Sequence, residues 1–221
     1  MHGSGGPSKY SLDDAFQFAN YGFSVVHFCW YNCNKNYVDD LDPIDEIDLE
    51  KISKKIELVL STISWKNENV YLVGMSRGAE AVALLISHPE LASKPFVKAV
   101  IISGISVTAD SRKSIPRKIL TDRLSGLESV DNYSSQKNSW TVGRSIFPNR
   151  TPIEVKKFKF PLMIVHGELD KLWTVRNAYQ LKDNYNQNGN RAVLEIIEEI
   201  GHQFPDRNSK SFIKIIDFLS L

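Results

Sequence analysis

A chain of 221 residues, of which 42% are hydrophobic and 24% charged, can bury a substantial core, and this excludes a wholly disordered protein. The formal net charge is +1 and the basic residues are spread along the chain, which argues against nucleic acid or an anionic membrane as the main partner. No apolar run is long enough to span a bilayer, and no signal-peptide pattern opens the chain, so the sequence predicts a cytoplasmic protein.

The chain opens on HGSGG at residues 2–6, a glycine-rich run of the kind that follows a β-strand and reaches over an active site. Only Met1 precedes it, so the N-terminal strands that would feed such a loop are missing. That feeding strand would lie between the strands predicted to end near Trp30 and Gly74. Three explanations stay open: the true start lies upstream, the remaining strands close the gap, or the loop is frayed. We favour the first.

Short apolar runs rich in β-branched and aromatic residues predict five strands, at residues 23–30, 70–74, 98–104, 160–167 and 192–199. The first four lack a two-residue period, which is typical of strands buried on both faces of a parallel sheet. Helical patterns alternate with these runs, at residues 13–22, 42–63, 77–90, 176–189 and 209–221. The alternation predicts one α/β domain over residues 1–221, with a mainly parallel sheet flanked by helices.

One stretch, from about residue 106 to 159, has no strong period and contains many polar residues and chain breakers. A segment of this length inside a compact domain predicts a lid-like insertion, with a surface excursion as the alternative. Trp140 lies in it, and with Trp173 and Met75 it is a candidate for the wall of an acyl pocket. Such aromatic residues are more often plain core.

The segment VYLVGMSRGAE places a Gly-x-Ser-x-Gly motif between a predicted strand and a predicted helix. A nucleophile elbow needs small residues on both flanks, here Gly74 and Gly78, because larger side chains would collide with neighbouring backbone. The elbow pushes the hydroxyl of Ser76 out above the sheet. It also places the backbone N–H of Arg77 at a helix N-terminus, where it could stabilise a developing oxyanion.

A serine hydroxyl needs a base and a carboxylate to become a nucleophile. His202 follows the last predicted strand and is the predicted base. His166 sits at the end of a strand and could line the site. In the loop after the penultimate strand, Asp170 is preferred to Glu168 as the acid. The resulting order Ser–Asp–His is the order of α/β-hydrolases.

The opening HGSGG run supplies the second oxyanion donor in this interpretation, from the backbone of Ser4 or Gly5. Cys29 and Cys33 are the only cysteines; they could pair across a loop, but free thiols are expected in a reducing compartment. No further ligand completes a metal site around them, so the sequence predicts no metal and no cofactor.

With these motifs placed, the chain resembles the C-terminal hydrolase domain of the acyl-CoA thioesterase and bile-acid-CoA:amino acid acyltransferase family, which is itself similar to dienelactone hydrolases. The shared stretches are HGSGG, YGFSVVHFCWYN, GMSRGAE, ISGIS, TPIEVKKFKFPLMIVHGELDKLW and GHQF. The resemblance implies a catalytic triad of Ser76, Asp170 and His202 and a thioester substrate. Members that transfer the acyl group to an amino acid use cysteine, so the serine at position 76 favours hydrolysis.

The sequence therefore predicts a serine hydrolase that cleaves a small-molecule acyl ester or thioester through an acyl-enzyme. Two alternatives stay open: a carboxylesterase or peptidase of the same fold, and a catalytically inactive hydrolase fold used for binding. A basic cluster in the insertion could meet a CoA phosphate, with a solvated surface as the alternative; it comprises Arg112, Lys113, Arg117 and Lys118. The sequence makes no prediction of oligomeric state.

Overall fold

The computed structural model describes residues 1, 9–30, 47–62, 69–88, 96–103, 108–109, 140–142, 145–146, 151–152, 160–171, 173–187 and 189–221. Its helices are α1 (Lys9–Ala19), α2 (Leu49–Thr62), α3 (Arg77–Ser87), α4 (Val175–Gln187) and α5 (Lys210–Ser220). Its strands are β1 (Ile47–Asp48), β2 (Tyr71–Met75), β3 (Lys98–Ile102), β4 (Thr108–Ala109), β5 (Trp140–Val142), β6 (Ser145–Ile146), β7 (Thr151–Pro152), β8 (Leu162–Gly167) and β9 (Ala192–Ile197).

The central sheet has the order β2-β3-β8-β9, and every neighbouring pair is parallel. Alternate residues of β3 face opposite sides, so Ala99 and Ile101 lie in one apolar cluster and Val100 and Ile102 in another. The first cluster joins the sheet to α2, α3 and α4, and the second joins it to α1 and α5. The predicted parallel sheet flanked by helices is confirmed, and the lack of a two-residue period in β3 follows from its burial on both faces.

The segment 23–30, which the sequence predicts as a strand, belongs to no sheet of the described structure, so that prediction is wrong. Residues 23–28 and 69–75 both line a cavity of about 680 Å³ beside β2, the edge strand. Met1 pairs with this edge: its amino group donates to the carbonyl of Val73, and its carbonyl accepts the N–H of Met75 at 3.2 Å. An apolar run becomes a strand only where a neighbouring backbone pairs with it, and here a cavity adjoins both segments.

The second helix begins later than the predicted range of 42–63, because Ile47 and Asp48 form β1 and pair with Trp140 and Thr141 of β5. The carboxylate of Asp48 accepts the N–H of Glu50 at 3.0 Å, which satisfies a donor of the first helical turn. Residues 42–46 lie outside the described residues.

Within the predicted insertion, the structure describes only four short strands. β5 pairs with β1 and β6, and β4 pairs antiparallel with β7. The rest of 106–159, including the basic cluster, lies outside the described residues, so the lid-like role stays a prediction.

Cys29 is disulfide-bonded, so the expectation of a free thiol at this position is wrong. Cys33, the only other cysteine of the chain, lies outside the described residues. None of the helices in the described ranges has the length and apolar character needed to cross a membrane.

Candidate active site

The turn between β2 and α3 holds Ser76 in a strained conformation, with φ 54° and ψ −121°. Non-glycine residues rarely adopt a positive φ, and such strain collects at functional sites. The turn is held on both sides: the N–H of Ser76 donates to the carbonyl of Ile102 at 2.9 Å, and its carbonyl accepts the N–H groups of Ala79 and Glu80 at 3.0 and 3.2 Å. The elbow therefore fixes the Ser76 side chain at the carboxyl edge of the sheet.

Gly74 is required by close approach rather than by an unusual backbone angle. A Cβ at this position would lie 2.2 Å from the carbonyl oxygen of Gly78 and 2.8 Å from a methyl group of Val82. The strand that enters the elbow and the helix that leaves it touch through these two glycines, which is the contact predicted from the motif.

His202 follows β9 and reaches back over the sheet edge to the elbow. Its Nε2 lies 2.9 Å from Oγ of Ser76, and its Nδ1 lies 2.8 Å from Oδ2 of Asp170. The hydroxyl of Ser103, at the end of β3, donates to the carbonyl of Gln203 at 3.1 Å and so anchors the residue after the histidine. The three residues predicted from the sequence as nucleophile, base and acid are thus brought together in one hydrogen-bonded chain.

Asp170 lies in the loop after β8 and is 5% exposed. Its Oδ1 accepts the backbone N–H of Trp173 at 3.0 Å, while Oδ2 accepts from His202. Burial alone would raise the pKa of Asp170, but the hydrogen bond and charge of His202 and the N–H of Trp173 outweigh it, so the pKa lies below its usual value. The carboxylate is therefore held ionised beside the imidazole.

The loop that carries the acid and the loop that carries the histidine are pressed against each other. The N–H of Glu168 donates to the carbonyl of Ile197 at 2.9 Å, and the N–H of Leu169 donates to that of Ile200 at 2.8 Å. A Cβ on Gly167 would lie 2.3 Å from the carbonyl oxygen of Gly201. Only a glycine fits at position 167. Gly167 is not among the site residues predicted from the sequence, although a His-Gly pair at a strand end is a visible signal.

The structure describes only some of the residues predicted for the oxyanion hole and the acyl pocket. Arg77 is buried at the start of α3, so its backbone N–H belongs to the first helical turn. Met75 is partly buried; it packs against the cluster of α1 and α5 and also lines the cavity beside β2. Trp173 is partly exposed beside Asp170. Ser4, Gly5 and the side chain of Trp140 lie outside the described residues.

Metal ligands were not predicted. Across the ranges that the structure describes, no group of three or more His, Cys, Asp or Glu side chains is arranged to hold a metal ion. The described site brings together a hydroxyl, an imidazole and a buried carboxylate.

A family model described as "Serine hydrolase (FSH1)" matches residues 7–213. The chain belongs to the FSH1 serine hydrolase family. This FSH1 chain is 23% identical over 199 residues to the "Uncharacterized peptidase YtmA" of Bacillus subtilis (strain 168), a match that covers 90% of this chain and 72% of the relative.

Solved structures show that this FSH1 family member has the α/β-hydrolase fold. It superposes on a monoacylglycerol lipase of Paleococcus ferrophilus with a TM-score of 0.61 and 13% identity, covering 99% of this chain and 91% of the lipase. It also superposes on the Pyrococcus horikoshii acylaminoacyl peptidase with a TM-score of 0.55 and 16% identity, covering 79% of this chain. The matched region spans only 27% of that peptidase. At these identities the likeness concerns the fold, and the resemblance to acyl-CoA thioesterases stays a prediction.

We expect Gly167→Ala to destabilise the protein by about 1–3 kcal/mol, because its Cβ would overlap backbone oxygen atoms of the opposite loop. Gly201→Ala is the matched control from the other side of the same contact. Among the described residues, its Cβ would meet only the carbonyl oxygen of Leu169, at the ordinary contact distance of 3.9 Å. Urea unfolding followed by circular dichroism measures both. Equal stabilities of the two variants would contradict the close contact at Gly167.

The lowered pKa of Asp170 predicts a pH-dependent contribution to stability. A carboxylate whose pKa falls on folding stabilises the native state above its unfolded value of about 3.9, and loses that contribution as the pH falls through the native value. Asp170→Asn should therefore be less stable than wild type at pH 5, and the difference should shrink below about pH 4. Urea unfolding at each pH measures it.

The matched control for this pH series is Asp206→Asn, which alters an exposed carboxylate and should leave stability nearly unchanged at every pH. A difference between wild type and Asp170→Asn that stays constant from pH 5 to pH 3 would show that the charge of Asp170 is not stabilised by folding.

Proposed function

We propose that this chain is a serine hydrolase that cleaves acyl esters or thioesters, with Ser76 as nucleophile, His202 as general base and Asp170 as the orienting acid. The observation that carries the proposal is the unbroken hydrogen-bonded chain from hydroxyl to imidazole to carboxylate, with distances of 2.9 and 2.8 Å. These distances are those of an activated serine in a catalytic triad. Membership of a serine hydrolase family supports the same chemistry.

The proposed reaction begins when Oγ of Ser76 attacks the acyl carbonyl while Nε2 of His202 takes the hydroxyl proton. Oδ2 of Asp170 holds the proton of Nδ1, which leaves Nε2 free to accept, and it stabilises the imidazolium that forms. His202 then gives its proton to the departing alcohol or thiol, and an acyl-enzyme remains on Ser76. A water molecule, deprotonated by His202, attacks the acyl-enzyme, and the acid is released with the serine restored.

The tetrahedral intermediate needs backbone N–H donors for its oxyanion. We assign one to Arg77, because it is the first residue of α3 and the helix dipole favours negative charge at this end. The second we assign to Ser4 or Gly5 in the HGSGG run. Met75, Trp140 and Trp173 are the proposed contributors to the acyl pocket.

A thioester is the preferred substrate because of the resemblance of GMSRGAE and of residues 152–173 to acyl-CoA thioesterases. An oxygen ester or a peptide bond is the second candidate. It is favoured by the names of the similar proteins, which include a lipase and two peptidases. The same triad serves all three bonds, so the discrimination depends on the leaving group and the pocket.

We expect Ser76→Ala to lower turnover of p-nitrophenyl or acyl-CoA esters by roughly 10⁴- to 10⁶-fold, because the nucleophile of a triad cannot be replaced by its neighbours. A fluorophosphonate probe should label the wild type and leave the variant unlabelled. Ser211→Ala on α5 is the matched control, since its hydroxyl donates to Glu195 at 3.0 Å, away from the elbow. Labelling of the Ser76 variant would overturn the assignment, because another residue would then be the nucleophile. A wild type that stays unlabelled would favour a binding role.

The leaving group is tested on the wild-type protein with a panel of short acyl-CoA esters, aryl esters of the same acyl groups, and acylated peptides. We expect the highest kcat/KM with the acyl-CoA esters, with release of free thiol as the readout. A preference for the matched aryl esters or for the peptides would leave the triad in place and replace the thioesterase proposal by a carboxylesterase or a peptidase.

A further inference from the structure

A second histidine lies beside the acid and has no part in the chemistry proposed above. His166 is the fifth residue of β8 and is completely buried, with 0% exposure. Its Nε2 lies 2.7 Å from the backbone carbonyl oxygen of Trp173 and 3.7 Å from Oδ2 of Asp170. A buried imidazole needs hydrogen-bond partners for its polar nitrogens, and those partners show what His166 holds in place.

The partners of His166 fix which nitrogen carries its proton. A carbonyl oxygen only accepts, so Nε2 must be the donor to Trp173. Burial lowers the pKa of His166, and the charge of His202 lowers it further. The hydrogen bond to Trp173 and the charge of Asp170 raise this pKa, but by less. The net pKa is below its usual value, so the ring is neutral. Nδ1 then carries no proton, and it is buried with no hydrogen-bond partner among the described residues. His166 therefore acts as a single donor aimed at the acid loop.

Trp173 is held at both ends of its backbone by these two side chains. Its N–H donates to Oδ1 of Asp170 at 3.0 Å, and its carbonyl accepts from His166. The turn from Asp170 to Trp173 is thus tied back to the rigid strand β8. With Oδ1 committed to this turn, Oδ2 is left to face Nδ1 of His202 at 2.8 Å.

We propose that His166 is a positioning residue for the acid: by donating its Nε2–H to the Trp173 carbonyl, it holds the turn that directs Oδ2 of Asp170 at His202. This inference rests on the proposed function of the triad. The ionisable groups that act on this histidine are Asp170 and His202. Because the ring of His166 is neutral, it does not form an ion pair with Asp170, and the carboxylate charge remains available to stabilise His202.

The test compares His166→Leu, which removes the donor, with His166→Gln, whose side-chain amide places an N–H close to the former Nε2. A displacement of the acid by about 1 Å costs on the order of 10²-fold, so we expect kcat of the leucine variant to fall by about that factor with KM nearly unchanged. The acid limb of its kcat/KM profile should move to lower pH, because a misdirected Asp170 stabilises the His202 imidazolium less. The glutamine variant should recover most of both losses.

The matched control is His88→Leu. His88 also places a ring nitrogen near a backbone carbonyl, that of Leu84 at 2.9 Å, but it lies at the far end of α3 from the elbow. This variant should keep the wild-type kcat and pH profile. If His166→Leu does not fold, His166→Asn replaces it, because its shorter side chain ends before the Trp173 carbonyl.

Two results would overturn the inference while the triad stands. One is a folded leucine or asparagine variant with the wild-type kcat and acid limb. The other is a glutamine variant as impaired as the leucine variant, since the hydrogen bond would then not be the cause. A wild-type protein that hydrolyses nothing and resists the fluorophosphonate probe would overturn the proposed function, and this inference with it.

Discussion

The parallel pairing of β8 with β9 is the constraint on which the site depends. Six residue pairs join the two strands, from Leu162 and Ala192 to Gly167 and Ile197, so the strands end level. The loops that follow must then cross the same edge side by side, and a glycine at 167 lets their backbones touch. Asp170 and His202, which are 32 positions apart in the chain, are in this way brought within hydrogen-bonding distance.

The alignment of strand ends also places the nucleophile. β3 pairs with β2 up to Ile102 and Met75, and with β8 up to Ile102 and Val165, so all of these strands end at one edge. The backbone of Ile102 accepts the N–H of Ser76, which links the elbow to the strand between it and the acid. The register of the strands therefore determines the site. Backbone hydrogen bonds align the ends of the strands, and the side chains of the site follow those ends.

This explains why the sequence predicts the candidate triad well. Ser76, Asp170 and His202 each follow an apolar run with strong strand character. In a parallel sheet, the residues that directly follow the strands all lie at the carboxyl edge of the sheet. The residues that hold the loops are harder to predict. The roles of His166 and Ser103 depend on backbone carbonyls of Trp173 and Gln203, which no spacing in the sequence reveals.

The sequence predicts the elements whose hydrophobic pattern is set by burial. It does not predict the elements that depend on pairing with a distant strand. β3 and β8 are apolar on both faces and were found from composition alone. Residues 23–30 are also largely apolar, yet they pair with no strand of the described structure, because composition records burial and carries no information about a partner strand. The start of α2 was misplaced for a related reason, since Ile47 and Asp48 pair with residues almost a hundred positions away.

Ser76 shows how the fold supports a conformation that the residue alone would avoid. A positive φ at a non-glycine residue costs about 1–3 kcal/mol. Three backbone hydrogen bonds to and from Ser76, each worth about 0.5–1.5 kcal/mol, are of the size needed to offset that cost. One of them comes from β3 and two from α3, so the strain is sustained by the central sheet and by a wholly buried helix. The strained backbone sets the direction of the Cα–Cβ bond of Ser76, and from there Oγ lies 2.9 Å from Nε2 of His202, within the distance that a proton transfer requires.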